Sequence, residues 1–247
     1  MSFKVVIPAR YASARLPGKP LLDIAGMPMV IRVAEQAAKS GASEIVIATD
    51  FEKILQVAQD YSIKAVITRL DHASGTDRIA EVAQILGWAD DEIVVNVQGD
   101  EPLIEPSLIN EVAQHLANSQ DAVMATACHA IHDEASLLNP NIVKVVIDAN
   151  GNALYFSRAP IPYPRDDVHK ANIQAHRHIG IYAYRVGFLK KYAQLRMTEL
   201  EKIESLEQLR VLHHGYKIGV TVTQNAPASG VDTQADLDYV RNVFKLE

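Results

Sequence analysis

The sequence predicts an α/β fold: a mostly parallel sheet with helices on both faces and an antiparallel insertion. Three observations predict it. Strand-like and helix-like patterns alternate through about the first 120 residues. The strand runs are continuously apolar, as strands covered on both faces require. After about Ala122 the helices give way to closely spaced strands joined by a turn signal.

Residues 4–8, 44–49, 64–68 and 92–97 read as strands, and residues 29–40, 52–61, 76–86 and 106–117 as the helices between them. Pro106 suits the first position of its helix. Such sheets bind ligands at the carboxyl ends of their strands, and Arg10, Asp50 and Asp100 all fall just past such ends. Residues 123–127 and 142–148 read as further strands. Asp148-Ala149-Asn150-Gly151 is a turn signal, and residues 152–158 return from it as the second arm of an antiparallel hairpin. Residues 163–172 are polar and proline-containing and read as a mobile loop. A strand is expected at 176–184, a helix at 199–213 and a strand at 217–222. Thr233-Gln234-Ala235-Asp236 matches a capping box, so the last helix begins there and Asp232 stays in the preceding loop. The expected organisation is one domain over residues 1–247, with the insertion at about 123–190.

Composition narrows the function classes. At 247 residues, 48% hydrophobic and 22% charged, the chain is ordinary for a globular protein and long enough to bury a core. A formal net charge of -6 argues against a general nucleic-acid partner. Cys128 is the one cysteine, which rules out an internal disulfide and fits a reducing cytoplasm. No apolar run approaches the ~20 residues of a membrane span, and Met1-Ser2 leads into a strand without a signal-like apolar stretch. The expectation is a cytoplasmic protein acting on small molecules.

The stretch Arg10-Tyr11-Ala12-Ser13-Ala14-Arg15-Leu16-Pro17-Gly18-Lys19-Pro20 follows directly on the first strand. Pro17, Gly18 and Pro20 exclude a helix, while Arg10, Arg15 and Lys19 supply charge-assisted donors suited to phosphate oxygens. The loop is not a P-loop, because Lys19 is followed by Pro20, nor a dinucleotide loop, because Gly18 stands alone. Phosphate would therefore be held mainly by side chains. The bland alternative is a solvated basic loop.

Val94-Val95-Asn96-Val97-Gln98-Gly99-Asp100-Glu101-Pro102 is a strand ending in an acidic pair. A carboxylate at Asp100 facing a polyphosphate loop suits Mg²⁺, which takes one or two protein carboxylates and fills its other positions with water and phosphate. Asp232 is a second candidate ligand if folding brings it near. In His72-Ala73-Ser74-Gly75-Thr76-Asp77-Arg78, Ser74 or Thr76 either caps the next helix or contacts a nucleotide. Arg158 either grips a carboxylate or makes a surface ion pair. His176 and His178 share a strand face and either bind substrate or pack. Glu204, Glu207 and Gln208 read by default as a solvated helix face. Cys128-His129 with His132 lacks the distal cluster a zinc site needs.

Taken in order along the chain, IPARYASARLPGKPL, Ile47-Ala48-Thr49-Asp50, HASGTDR, VNVQGDEP, LYFSRAPIPY, RHIGIYAYR, IESLEQLRVL and GVDT resemble the bacterial 3-deoxy-manno-octulosonate cytidylyltransferases, or CMP-KDO synthetases. The resemblance implies a Rossmann-like nucleotidyltransferase sheet whose insertion contributes to a sugar pocket and a homodimer interface. It implies transfer of CMP from CTP to the sugar acid KDO for lipopolysaccharide synthesis, with Mg²⁺ as cofactor. Carried onto this sequence, Arg10 and Lys19 become triphosphate cations and Asp100 and Asp232 magnesium ligands. Ser13, Arg15, Ser74, Thr76, Arg78 and Gln98 become nucleotide contacts, Gln98 serving the substrate too. Arg158, His178, Tyr182, Glu207 and Gln208 become the sugar-acid pocket. Ala14 stands where the family usually has a hydroxyl residue, so a phosphate contact there would fall to backbone amides. The alternatives are a cytidylyltransferase for a related acid sugar, such as 8-amino-KDO or a sialic acid, and a catalytically silent nucleotide-binding regulator.

Overall fold

The computed structural model describes residues 2–12, 16–72, 74–166, 174–224, 226–228 and 230–246. In chain order the strands are β1 (Lys4–Ala9), β2 (Asp23–Ile24), β3 (Met27–Pro28), β4 (Glu44–Thr49), β5 (Lys64–Ile67), β6 (Ile93–Asn96), β7 (Ala122–Ile131), β8 (Lys144–Ile147), β9 (Ala153–Ser157), β10 (Ala175–Arg185) and β11 (Lys217–Val222). The helices are α1 (Met29–Ala38), α2 (Glu52–Asp60), α3 (Gly75–Ile85), α4 (Pro106–Asn118), α5 (Glu134–Leu138), α6 (Val186–Tyr192), α7 (Glu199–Glu204), α8 (Gln208–His213) and α9 (Gln234–Leu246). A single 3-10 turn spans Lys19–Leu21.

All strands but the β2–β3 ribbon join one sheet ordered β11-β7-β10-β6-β1-β4-β5, with β8 and β9 hanging from β10. The β1–β4, β1–β6, β4–β5 and β7–β11 pairs are parallel. The β6–β10, β7–β10, β8–β10 and β8–β9 pairs are antiparallel. The expected parallel half and antiparallel insertion are both present. Alternation along β1 sorts the core: Val5 and Ile7 face α1 and α4, while Val6 faces α3 and α6. Among the described residues no helix is long and apolar enough to cross a membrane.

Pro106 opens α4, and Thr233 with Asp236 forms the capping box that opens α9. Two expectations are corrected. The helix expected over 199–213 is two helices, because Ser205 takes a left-handed backbone (φ 52°) that ends α7. That break buries Leu206 and Gln208, so 204–208 is not a solvated face. The strand expected over 123–127 runs to Ile131, its extra residues pairing with β10 through Ala175. The loop expected over 163–172 lies partly outside the described residues.

The sheet divides at its carboxyl edge. Val97 N–H donates to the Val6 carbonyl (3.1 Å), and the β1–β6 ladder goes no further than that level. Residues two apart on a strand face the same neighbour, so Pro8 lacks the donor that would have continued the ladder toward β6. Gly99 lies against this point: a Cβ there would sit 2.6 Å from the Pro8 carbonyl oxygen. Gly99→Ala should therefore force the two backbones apart. We expect a loss of about 1–3 kcal/mol, read as a melting temperature lowered by roughly 2–10 °C in thermal unfolding followed by circular dichroism. An unchanged melting temperature would remove the close approach as a constraint.

Candidate active site

Beyond that division lies a cleft of about 380 Å³, lined by Pro8, Ala9, Arg10, Ala12, Lys19, Pro20, Ser74, Gly75, Gln98, Gly99 and Asp100. Five residues expected to touch nucleotide, phosphate or metal thus meet at one place: Arg10, Lys19, Ser74, Gln98 and Asp100. They come from the exits of β1 and β6, the start of α3 and the 3-10 turn. Ser13, Ala14 and Arg15 lie outside the described residues.

The cations have defined partners. Arg10 Nη2 donates to the His72 carbonyl (3.0 Å). Lys19 Nζ donates to Asp100 Oδ2 (2.5 Å) and to Asp232 Oδ1 (3.1 Å). The lysine side chain is 12% exposed, Asp100 35% and Asp232 46%. Folding therefore brings the carboxylate at 232 to the one at 100, with an ammonium on both. The backbone fixes this approach, since Val231 N–H donates to the Asp100 carbonyl (2.8 Å). Neighbouring Glu101 has its carboxyl pushed up to about 8, first by burial and then by the Asp100 charge. Two hard oxygen donors facing a cationic cleft are the donor set magnesium prefers.

Ser74 is the N-cap of α3: its hydroxyl accepts from Asp77 N–H, and Asp77 accepts from the Ser74 N–H. The capping alternative therefore describes a bond Ser74 makes, while the same residue lines the cleft. Thr76, two residues further on, is buried, donating to Glu207 Oε1 (3.0 Å) and bonding the Tyr184 hydroxyl (3.0 Å). Arg78 is fully buried, with Nη2 on Asp50 Oδ2 (2.8 Å) and Nη1 on the Thr68 hydroxyl. It supports the cleft from beneath.

Glu207 bonds Thr76 and its charge reaches Tyr182, while Gln208, next to it in sequence, is buried. Burial first, then Glu207, raises the Tyr182 and Tyr184 hydroxyls well above their ordinary range. His178 is packed between Phe156 and Tyr182, with Nε2 3.0 Å from the Thr126 hydroxyl. Burial lowers its imidazole to about 3, so it is neutral at physiological pH. Arg158 makes no ion pair among the described residues: Nε donates to the Glu204 carbonyl (2.7 Å) and Nη1 to the Pro140 carbonyl (3.0 Å). These bonds make it a brace of the hairpin end. Lys144 braces the same end, its buried ammonium donating to the carbonyls of Asn139, Ile142 and Arg158. Cys128 is buried in the core and its thiol is pushed up to about 12 by burial.

Sequence reasoning missed Asp50 as the partner of Arg78 and Tyr184 as the partner of Thr76, and it read Glu204, which bonds Ser157 and Arg158, as part of a solvated face. Asp50 carried a signal, since it ends a strand at the ligand edge. Nothing local marks the other two, whose partners lie 108 and 46 residues away.

An open, mostly parallel sheet with cations and paired carboxylates across a cleft at its strand ends is the architecture of a nucleotidyltransferase. The cytidylyltransferase family profile matches residues 4–218, and the chain belongs to that family. The solved structure of CMP:2-keto-3-deoxy-manno-octonic acid synthetase complexed with CTP is 44% identical, superposes with a TM-score of 0.92, and is matched over 99% of this chain and 98% of that one. A cytidylyltransferase from Leptospira borgpetersenii serovar Hardjo-bovis shares the fold at 16% identity, with a TM-score of 0.64 over 100% of this chain and 87% of that one.

The Glu207 carboxyl is raised above its ordinary range, first by burial, with Asp77 adding to the rise and the Thr76 hydroxyl opposing it. A carboxyl raised on folding holds its proton longer in the folded chain than in the unfolded one. Its contribution to stability is then greatest at low pH and is lost as pH rises through the folded value. Glu207→Gln should remove that loss. We expect the variant to melt above the parent at about pH 8, with the gain shrinking toward about pH 5. A gain independent of pH in calorimetric scans would count against the assignment.

Proposed function

We propose that the chain transfers CMP from CTP to the anomeric hydroxyl of 3-deoxy-D-manno-octulosonate (KDO), releasing pyrophosphate. The observation that carries the reading is the meeting of Arg10, Lys19, Asp100 and Asp232 at one sheet edge. The chain in which they meet matches, over nearly its whole length, a CMP-KDO synthetase solved with CTP.

The residues support the reaction as follows. Arg10 and Lys19 face the leaving pyrophosphate and offset the charge that grows on it. Ser74 and Gln98 line the nucleotide side, with the amino end of α3 behind Ser74. The sugar acid sits toward Tyr182, Glu207 and Gln208, and His178 offers a neutral ring beside Tyr182. The sugar hydroxyl then meets the α-phosphorus in line, so holding both substrates supplies much of the rate. Asp100 and Asp232 would hold a Mg²⁺, which bound there supplies charge neutralisation and a template for the phosphates. The same proposal places the protein in the cytoplasm as a homodimer. What supports the dimer is apolar surface exposed on the insertion, at Leu138 (57% exposed) and Tyr163 (78% exposed). Light scattering on the purified protein reads the dimer directly.

Pyrophosphate release from a panel of nucleotides and acid sugars tests the reaction. The expected result is turnover with CTP and KDO together. Turnover only with 8-amino-KDO or a sialic acid would move the specificity, and none with any pair would leave a nucleotide-binding regulator. Asp100→Asn should remove nearly all turnover while the protein stays folded, because it keeps the shape and loses a ligand charge. Near-normal turnover at saturating Mg²⁺ would end the metal role.

Lys19 supplies a test independent of turnover. Its ammonium lies against both carboxylates, where a cation shared by them must also sit. Lys19→Met should lower the melting temperature of the nucleotide-free protein, and Mg²⁺ alone should restore it. Mn²⁺ affinity read by electron paramagnetic resonance should rise by roughly tenfold or more. A comparable rise in Arg10→Met, whose guanidinium is on His72, would reduce the effect to general charge in the cleft.

A further inference from the structure

We propose that Glu81, on the outer part of α3, is a positioning residue that holds Arg10 through the backbone of His72. The inference rests on Arg10 being a phosphate contact. Its own evidence is a chain of three bonds. Glu81 Oε2 accepts from the Arg69 N–H (2.9 Å) and pairs with His72 Nε2. The His72 carbonyl in turn accepts from Arg10 Nη2 (3.0 Å). One carboxylate oxygen thus pins both ends of residues 69–72, and a carbonyl of that segment is aimed at the guanidinium.

The surroundings make Glu81 the adjustable part of the arrangement. The segment begins at Thr68, which is fixed twice to the Thr49 carbonyl, by its N–H (2.8 Å) and its hydroxyl (3.1 Å). It ends at Ser74, fixed by the capping box of α3. The described residues 69–72 belong to no strand or helix, so the direction of the His72 carbonyl follows local backbone torsions. The His72 side chain is 8% exposed and Glu81 21%, so the pair is shielded enough to act as a fixed joint. Arginine carries considerable rotamer freedom, and a guanidinium already held in place needs less ordering when phosphate arrives.

Glu81→Ala removes both bonds at a helix position where alanine is well tolerated. Glu81→Gln keeps an oxygen able to accept both. The first readout is the order parameter of the Arg10 side-chain Nε–H in the nucleotide-free protein, assigned through its loss in Arg10→Met. We expect Arg10 to become mobile in Glu81→Ala and to stay ordered in Glu81→Gln, with Arg78 rigid in both. The second is kcat/KM for CTP: Glu81→Ala should lower it roughly tenfold, and by less than twofold when Arg10 is already Met. An unchanged Arg10 order parameter in Glu81→Ala overturns the proposal, as does an equal loss of kcat/KM in both backgrounds. If Arg10 loosens while Arg10→Met itself leaves turnover intact, Glu81 keeps its positioning role and Arg10 loses its place at the phosphates.

Discussion

The contact on which the ligand edge depends is the ammonium of Lys19 between Asp100 and Asp232. It joins the loop after β1, the end of β6 and the segment before α9, which are distant in sequence. Two carboxylates held this close repel each other unless a cation accompanies them. The triplet is partly exposed, so solvent screens it and its net contribution to stability is modest. Apolar packing does more to hold it together. Val231 sits in a small core with Ile24, Met29, Leu237 and Val240, against which Leu16, Leu22 and Leu103 pack. Hydrophobic burial beside the cleft thus brings the two carboxylates together, and the ammonium lets them stay.

Charge is buried elsewhere too, each time against a named partner. Arg210 and Glu201 pair within 2.8 Å through two bonds, and Glu201 also completes the capping box of α7. Arg78 pairs with Asp50 under the cleft, although its Nε finds no hydrogen-bond partner among the described residues. Lys144 donates to three carbonyls, and burial lowers its pKa against the opposing charge of Glu204. Buried pairs of this kind stabilise little compared with apolar residues of the same size, but losing one partner is costly. Their common effect is geometric: Arg78 fixes the strand-end loops at Asp50 and Thr68, and Lys144 fixes the end of the hairpin at Arg158.

Much of the fold was legible because it rests on local periodicity. Continuous apolar runs gave the parallel strands, Pro106 and the Thr233–Asp236 pair gave helix starts, and Asp148–Gly151 gave the hairpin turn. The break at Ser205 was not legible, since a serine in a left-handed conformation has no distinctive signature. The meeting of Arg10 and Asp100 could be read from strand ends, and Lys19 from the cationic loop between them in chain order. That Asp232 reaches them could not, because only the packing of α9 decides it. Arg158 shows the opposite limit. Its residue type suits a carboxylate fork, yet the two carbonyls that take its N–H groups belong to segments whose approach no local pattern encodes.

Trp88, the one tryptophan, is buried beside α6, with its indole N–H on Glu44 and the Lys4 ammonium 5.3 Å from its ring. Lys4 begins β1 and Ala9 ends it at the cleft, so the indole keeps company with the opposite edge of the sheet, roughly 17 Å away at ~3.3 Å per residue. The molecule therefore carries a built-in optical probe set away from the cleft. Tryptophan emission will follow the integrity of the central sheet, while occupancy of the cleft must be watched by another means. The stacked rings of Tyr11 and Phe51, 4.0 Å apart beside Gly18, are the native chromophores placed to see it.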